Sequence, residues 1–87
     1  MRNTHKSLLS RVGRRIQELR QASEITQEQL AERYGASAGY VQIVERGEQN
    51  LTLLTLEKFA QLLNVPVEEL FREPKSRVRK VGRPIGS

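Results

Sequence analysis

The feature that most constrains this chain is the spacing of small, apolar and glycine residues over residues 27–46. Apolar side chains stand at the fourth, eighth, tenth, fifteenth and eighteenth positions of this stretch, namely Leu30, Tyr34, Ala36, Val41 and Val44. Ala31, at the fifth position, is small enough to let two helices approach closely. Gly35, at the ninth, can adopt the positive φ that a tight turn requires. The spacing predicts two short crossing helices, a helix-turn-helix.

Helical spacing continues on the N-terminal side of this stretch. The apolar residues there recur at intervals of four, four and three, at Leu8, Val12, Ile16 and Leu19. This pattern predicts an amphipathic first helix over about residues 7–22. Thr26 and Gln29 can then form a capping box, in which each side chain binds a backbone amide of the other residue. The capping box predicts a second helix over about residues 27–34.

The C-terminal half of the chain carries three more helix signals. Ser37 can cap a third helix over about residues 38–46, and Thr52 can cap a fourth. The fourth helix has an apolar face, made of Leu53, Leu56, Phe59, Ala60 and Leu63. Pro66 suits the start of a short fifth helix. No strand signal competes, so we expect an all-α domain of five helices over residues 7–72.

Charge is distributed unevenly along the chain, whose net charge is +5. Residues 1–20 and 72–87 each hold six Lys or Arg and one Glu, whereas residues 21–71 hold three against eight Glu. Such basic segments attract nucleic acid through counterion release, or an anionic membrane through the same electrostatics. We expect a basic arm at residues 1–6 and a basic tail at residues 73–87 that is disordered when unbound, because proline and glycine interrupt it.

The composition excludes most kinds of catalytic and metal site. The chain has no cysteine and no aspartate, and its single histidine is His5. Nucleophilic catalysis, carboxylate metal cages and phosphoryl transfer each need such a partner. We therefore expect no enzyme, metal, cofactor or small-molecule ligand. No apolar run suits a membrane span and the start lacks the apolar core of a signal peptide, so we expect no membrane association and a cytoplasmic location.

Four segments, TQEQLAERYG, SAGYVQIVERG, LTLLTLEKFAQLLNV and VEELF, resemble in order helices 2 to 5 of a known DNA-binding family. That family comprises the phage repressors, Cro and the Xre-like bacterial regulators, and the resemblance covers about residues 11–71. The segment ERGEQN followed by LTLLTLEKFA is most similar to the small controller proteins of restriction-modification operons. The resemblance implies a lambda-repressor-like fold in a bacterial or phage-encoded, nucleoid-associated regulator. It also implies a homodimer that binds an inverted-repeat operator.

The resemblance also implies a set of DNA-contacting residues, with the third helix in the major groove. Gln27 matches the family's phosphate-contacting glutamine. The groove-facing set comprises Ser37, Ala38, Gly39, Tyr40, Gln42, Ile43 and Arg46, with Asn50 in the loop that follows. Gln42 is the expected base reader, because glutamine can pair bidentately with adenine. Tyr40 could either stack on the sugar-phosphate backbone or close the edge of the core.

Three further predictions concern the tail, one charge pair and the dimer surface. In the tail, Arg79, Lys80 and Arg83 are expected to contact DNA. The sequence KVGRP around Arg83 is similar to the core of an AT-hook, so this arginine could enter the minor groove or bind phosphate nonspecifically. Arg20 and Glu45 match a salt bridge of the family. The predicted dimer surface comprises Leu54, Leu62, Val67 and Phe71.

The sequence thus predicts a regulator that works by occupying an operator, and leaves activation or repression open. The alternative is a protein-interaction module, or an antitoxin-type regulator, whose basic tail binds a protein partner.

Overall fold

A computed structural model of the chain describes residues 4–75, with side chains from residue 7 onward. It contains four α-helices, α1 (Thr4–Ala22), α2 (Gln27–Tyr34), α3 (Ala38–Glu45) and α4 (Leu53–Leu62), followed by a 3₁₀ helix (Val67–Phe71). No strand occurs in the part of the chain that the structure describes. The predicted all-α helix-turn-helix fold is therefore confirmed. None of the described helices is long and apolar enough to cross a bilayer.

The fifth helix differs from the prediction, because it is a 3₁₀ helix and not an α-helix. Pro66 and Arg72, which flank it, both have extended backbone conformations. Only five residues therefore remain between them, and a helix this short suits the tighter 3₁₀ hydrogen-bond pattern. Its one buried side chain, Leu70, packs into the core as expected.

The start of α1 also differs, because the helix begins at Thr4 and not near residue 7. Residues 4–6, which we assigned to a basic arm, therefore have helical backbone. No glycine or proline stands among them to stop the helix from extending. At the other end of the helix-turn-helix, α3 ends at Glu45 with Arg46 as its C-cap, one residue earlier than predicted.

The hydrogen bonds that begin α2, α3 and α4 are those predicted from the sequence. The Thr26 hydroxyl accepts from the Gln29 amide at 3.0 Å while the Gln29 side chain accepts from the Thr26 amide at 2.8 Å. Ser37 caps α3 and Thr52 caps α4, each accepting from the backbone amide three residues later. Gly35 takes a φ of 91°, which turns the chain from α2 towards α3.

One core unites all five helices. Its buried members are Val12, Ile16, Leu30, Ala31, Val41, Val44, Leu56, Phe59, Ala60, Leu63 and Leu70. Two residues assigned to apolar faces lie outside it, since Leu8 is 44% exposed and Leu53 is 76% exposed. Each stands one turn before the first buried residue of its helix, so the apolar spacing begins before the helix reaches the core.

The helices α1 and α3 lie very close together at Gly13, a residue that the sequence pattern did not single out. A Cβ placed there would lie 2.4 Å from the Val44 carbonyl oxygen and 2.6 Å from that of Glu45. These distances are too short for any side chain, so only glycine allows this crossing. The first helix is therefore held directly against the C-terminal half of α3.

Candidate nucleic-acid interface

The helices α2 and α3 form one unit through their own buried contacts. Leu30 and Ala31 from α2, and Val41 and Val44 from α3, are each at most 2% exposed. The Ala31 carbonyl accepts hydrogen bonds from the amides of both Gly35 and Ala36, at 2.8 and 2.9 Å. These bonds close the turn and fix α3 relative to α2. The opposite side of α3 is left at the protein surface.

That outer side of α3 carries the residues predicted to face DNA. Ser37, Gly39, Gln42 and Arg46 are exposed, and Ala38, Tyr40 and Ile43 are half-buried. Asn50, in the loop after α3, is also exposed. Their contact with DNA stays a prediction, as does that of Arg79, Lys80 and Arg83, which lie outside the described residues.

Tyr40 lies in an aromatic cluster at the rim of the core. Its ring centroid is 5.5 Å from that of Tyr34 and 6.4 Å from that of Phe59. Burial, together with a hydrogen bond to Tyr34, raises the pKa of Tyr40 to about 12. The phenol is therefore neutral at physiological pH. This position favours the alternative in which Tyr40 closes the edge of the core.

Arg20 and Glu45 form a bidentate ion pair between α1 and the end of α3. The Arg20 Nε and Nη2 atoms lie 2.6 and 3.1 Å from the two carboxylate oxygens of Glu45. Arg20 Nη1 also donates to the carbonyl of Ile25 at 2.9 Å, in the loop before α2. Both side chains are under 10% exposed. The pair therefore connects α1, the loop before α2 and the end of α3 from within the protein.

The same carboxylate holds Gln27, the predicted phosphate contact. Gln27 Nε2 donates to Glu45 Oε1 at 2.9 Å, at the first residue of α2. One amide N–H is thereby used within the protein, and the second remains for an outside acceptor. Backbone amides in the first turn of a helix also lack intrahelical partners and favour anions. The arrangement fixes the orientation of the Gln27 side chain within the protein.

Arg15 is a buried charge in the middle of α1, which a count of basic residues over residues 1–20 does not distinguish from the exposed ones. It is 6% exposed, and its Nε donates to the Glu69 carbonyl at 2.9 Å. Its Nη atoms lie 3.0 Å from the carboxylates of Glu18 and Glu69. Arg15 thus attaches α1 to the 3₁₀ helix. Its place beside Val12 and Ile16 on the helical stripe was a signal that could have identified it.

A polar groove runs between α1, the start of α2 and the end of α3. Its cavity volume is about 460 Å³, and its lining residues are Ser10, Arg14, Gln17, Gln27, Gln42, Glu45, Arg46 and Glu48. Arg46 Nε lies 3.4 Å from Glu48 Oε1 in an exposed ion pair. The contribution of α1 to this groove was not predicted, because it comes from residues distant in sequence.

The predicted dimer surface is only partly exposed. Leu54 is 76% exposed and Phe71 is 40% exposed, but Leu62 and Val67 are half-buried against the core. Their contact with a second copy stays a prediction, and their partial burial follows from their neighbours in the helices. Leu62 follows Phe59 by three residues on α4, and Val67 precedes the buried Leu70 by three residues in the 3₁₀ helix, so each shares a face with a core residue.

Known proteins of similar sequence and structure contain the same helix-turn-helix. The helix-turn-helix family HTH_3 matches residues 16–70. The immunity repressor of Bacillus phage phi105 is 39% identical over 62 residues, which cover 71% of this chain but only 43% of that repressor. The restriction-modification controller protein C.AhdI from Aeromonas hydrophila is similar in structure, with a TM-score of 0.73 and 40% identity over 78% of this chain and 99% of its own.

A second solved structure, of the nucleoprotein complex C.Esp1396I, has a TM-score of 0.62 and 30% identity. The match covers 76% of this chain and 96% of that one. The family match extends from the middle of α1 to the 3₁₀ helix, which is more than half of the chain. The chain therefore belongs to the HTH_3 helix-turn-helix family of DNA-binding transcription regulators, which are not enzymes.

Proposed function

We propose that this protein is a cytoplasmic, nucleoid-associated regulator that binds an operator as a homodimer, with α3 in the major groove. The main support for the proposal is the exposure of the outer face of α3. A cap, a turn and a buried inner face fix this helix, while Ser37, Gly39 and Gln42 remain exposed. A rigid helix with a solvated, polar outer side suits base edges in a groove.

Base reading by α3 depends on few side chains. Gln42 offers an amide that can pair with adenine, and Ala38 or Ile43 can contact a thymine methyl group. Gly39 has no side chain, and Tyr40 is engaged with Tyr34 and Phe59. We infer that specificity depends partly on DNA shape, which is read through phosphate positions. Phosphate contacts then contribute more to specificity than they would for a recognition helix rich in polar side chains.

The first test is selection of binding sites from a random duplex library, with full-length protein at near-physiological salt. A dimer with two-fold symmetry presents its two recognition helices about 34 Å apart, so we expect enrichment of an inverted repeat with half-sites one helical turn apart. Enrichment of A·T-rich duplexes without symmetry would contradict the operator proposal and favour minor-groove binding by the tail. No enrichment would favour the protein-interaction module.

The proposed dimer uses apolar side chains that the fold leaves uncovered. Leu53 and Leu54, at the start of α4, are each 76% exposed. Two adjacent leucines with this exposure are costly to leave in water and mark a candidate contact surface. Successive residues point about 100° apart around an α-helix, so the pair covers two directions. Leu54 points away from the buried face of α4, towards a second copy.

We expect Leu54→Glu to convert the dimer to a monomer, because the contact would bury a carboxylate without a partner. The measurement is the mass in solution by sedimentation equilibrium. Leu8→Glu is the control, because it makes the same change at an exposed leucine of α1, outside this surface, and should leave the mass unchanged. A dimeric Leu54→Glu protein would remove this face of α4 from the interface.

A further inference from the structure

The polar groove beside α3 has one wall made by α1. Ser10, Arg14 and Gln17 all line it. They are spaced four and three residues apart, so they lie on one face of the helix over two turns. This face meets Gln27 from the start of α2 and Gln42 from the recognition helix. The groove therefore adjoins both the predicted phosphate contact and the predicted base reader.

The charges of the groove favour an anion. Glu45 is neutralised from inside by the Arg20 ion pair, whose side chains are 9% and 3% exposed. Glu48 is exposed and lies 3.4 Å from Arg46. Two arginines from different elements, Arg14 and Arg46, thus face a space whose other lining, apart from these two glutamates, consists of hydroxyl and amide groups. Exposed ion pairs contribute little to stability, so Arg46 can exchange Glu48 for an incoming anion at small cost.

We propose that this groove binds a phosphate of the DNA backbone, with Arg14 and Arg46 as the two cations. Ser10 and Gln17 supply neutral donors beside them. This inference rests on the proposed function, and adds α1 as a third element that contacts DNA. A phosphate held here carries no sequence information itself, but it fixes the register of α3 on the duplex. Gln42, which lines the same groove, would thereby be positioned against its base.

The test compares two arginines of α1 that differ in position and not in charge. Arg14 lines the groove, whereas Arg11 is exposed, precedes it by three residues and does not line the groove. We expect Arg14→Gln to lower the salt dependence of log Kobs by about 0.9, the value for one lost phosphate contact. Arg11→Gln, outside the groove, should lower that slope by less. Fluorescence anisotropy of a labelled duplex, at a series of salt concentrations, gives both slopes.

The loss in Arg14→Gln should be equal on the selected operator and on a scrambled duplex, because phosphate contacts do not depend on sequence. Arg46→Gln changes a side chain that is 62% exposed, so it should fold normally and lose a similar slope. Equal slopes for Arg14→Gln, Arg46→Gln, Arg11→Gln and the unaltered protein would overturn the groove proposal and leave operator binding intact. Failure of the unaltered protein to bind any duplex would instead overturn the proposed function.

Discussion

Replacement of Gly13 by alanine is expected to destabilise the fold by about 2–3 kcal/mol or more, although alanine is the better helix former. The added Cβ would lie 2.4 and 2.6 Å from the carbonyl oxygens of Val44 and Glu45. Both are backbone atoms of α3, which no side-chain rotation can move away. The helices α1 and α3 must therefore separate, and the core between them loses contacts.

Urea unfolding followed by circular dichroism measures this loss, and Gly39→Ala is its matched control. A Cβ at Gly39 would meet only the Ser37 hydroxyl, at 3.7 Å. Because the site is open and helical, we expect this control to be neutral or to gain up to about 1 kcal/mol from helix propensity. An equal gain in Gly13→Ala would contradict the close crossing of α1 and α3. Total stability for a small domain is about 5–15 kcal/mol, so the expected loss is easily measured.

The predictions that succeeded depend on residues close together in the sequence. The Thr26–Gln29 capping box, the Ser37 cap and the left-handed Gly35 each act over one turn of chain. The residues of such a signal are neighbours in the sequence and remain neighbours in the fold, so the sequence alone reveals them. The inward positions of the helix-turn-helix follow similarly, because helical periodicity fixes which side of a short helix is apolar.

The features that were missed depend on which elements meet. A glycine inside an amphipathic helix lowers helix propensity and usually has a packing reason, but the sequence does not name Val44 and Glu45 as the neighbours of Gly13. Arg15 and its partner Glu69 are 54 residues apart. Helical periodicity also does not show where along a helix the apolar face stops contacting the core. Leu53 was therefore placed on the apolar face of α4, although its side chain is exposed. These facts follow from tertiary packing alone.

The candidate interface also has one part that the sequence predicts and one part that it does not. The outer face of α3 could be predicted, because Val41 and Val44 mark its inner side. The groove could not, because Arg14 on α1 and Arg46 at the end of α3 meet only after folding. Packing of five helices around one core brings together residues that are distant in the sequence. The α1 residues that line the groove could therefore not be identified from the recognition helix alone.

Replacement of Glu45 by alanine is expected to cost about 3–5 kcal/mol of stability, because it leaves a buried charge without its partner. The carboxylate accepts two hydrogen bonds from Arg20, at 2.6 and 3.1 Å, within the protein. Its removal leaves the Arg20 guanidinium buried beside a void, where it keeps its hydrogen bond to the carbonyl of Ile25. The penalty arises from that uncompensated charge more than from the loss of an attraction.

Urea unfolding of Glu45→Ala beside Glu48→Ala separates this effect from a general loss of negative charge. Glu48 pairs with Arg46 at the surface, where both side chains are more than half exposed, so its replacement should cost about 1 kcal/mol or less. The double replacement Arg20→Met with Glu45→Leu removes both charges and should recover most of the stability. A loss below about 1 kcal/mol in Glu45→Ala would mean that water reaches Arg20 and that the pair does not hold α1 against α3. Such a result would also remove the reason for Gln27 to be fixed in place, because the same carboxylate holds its amide.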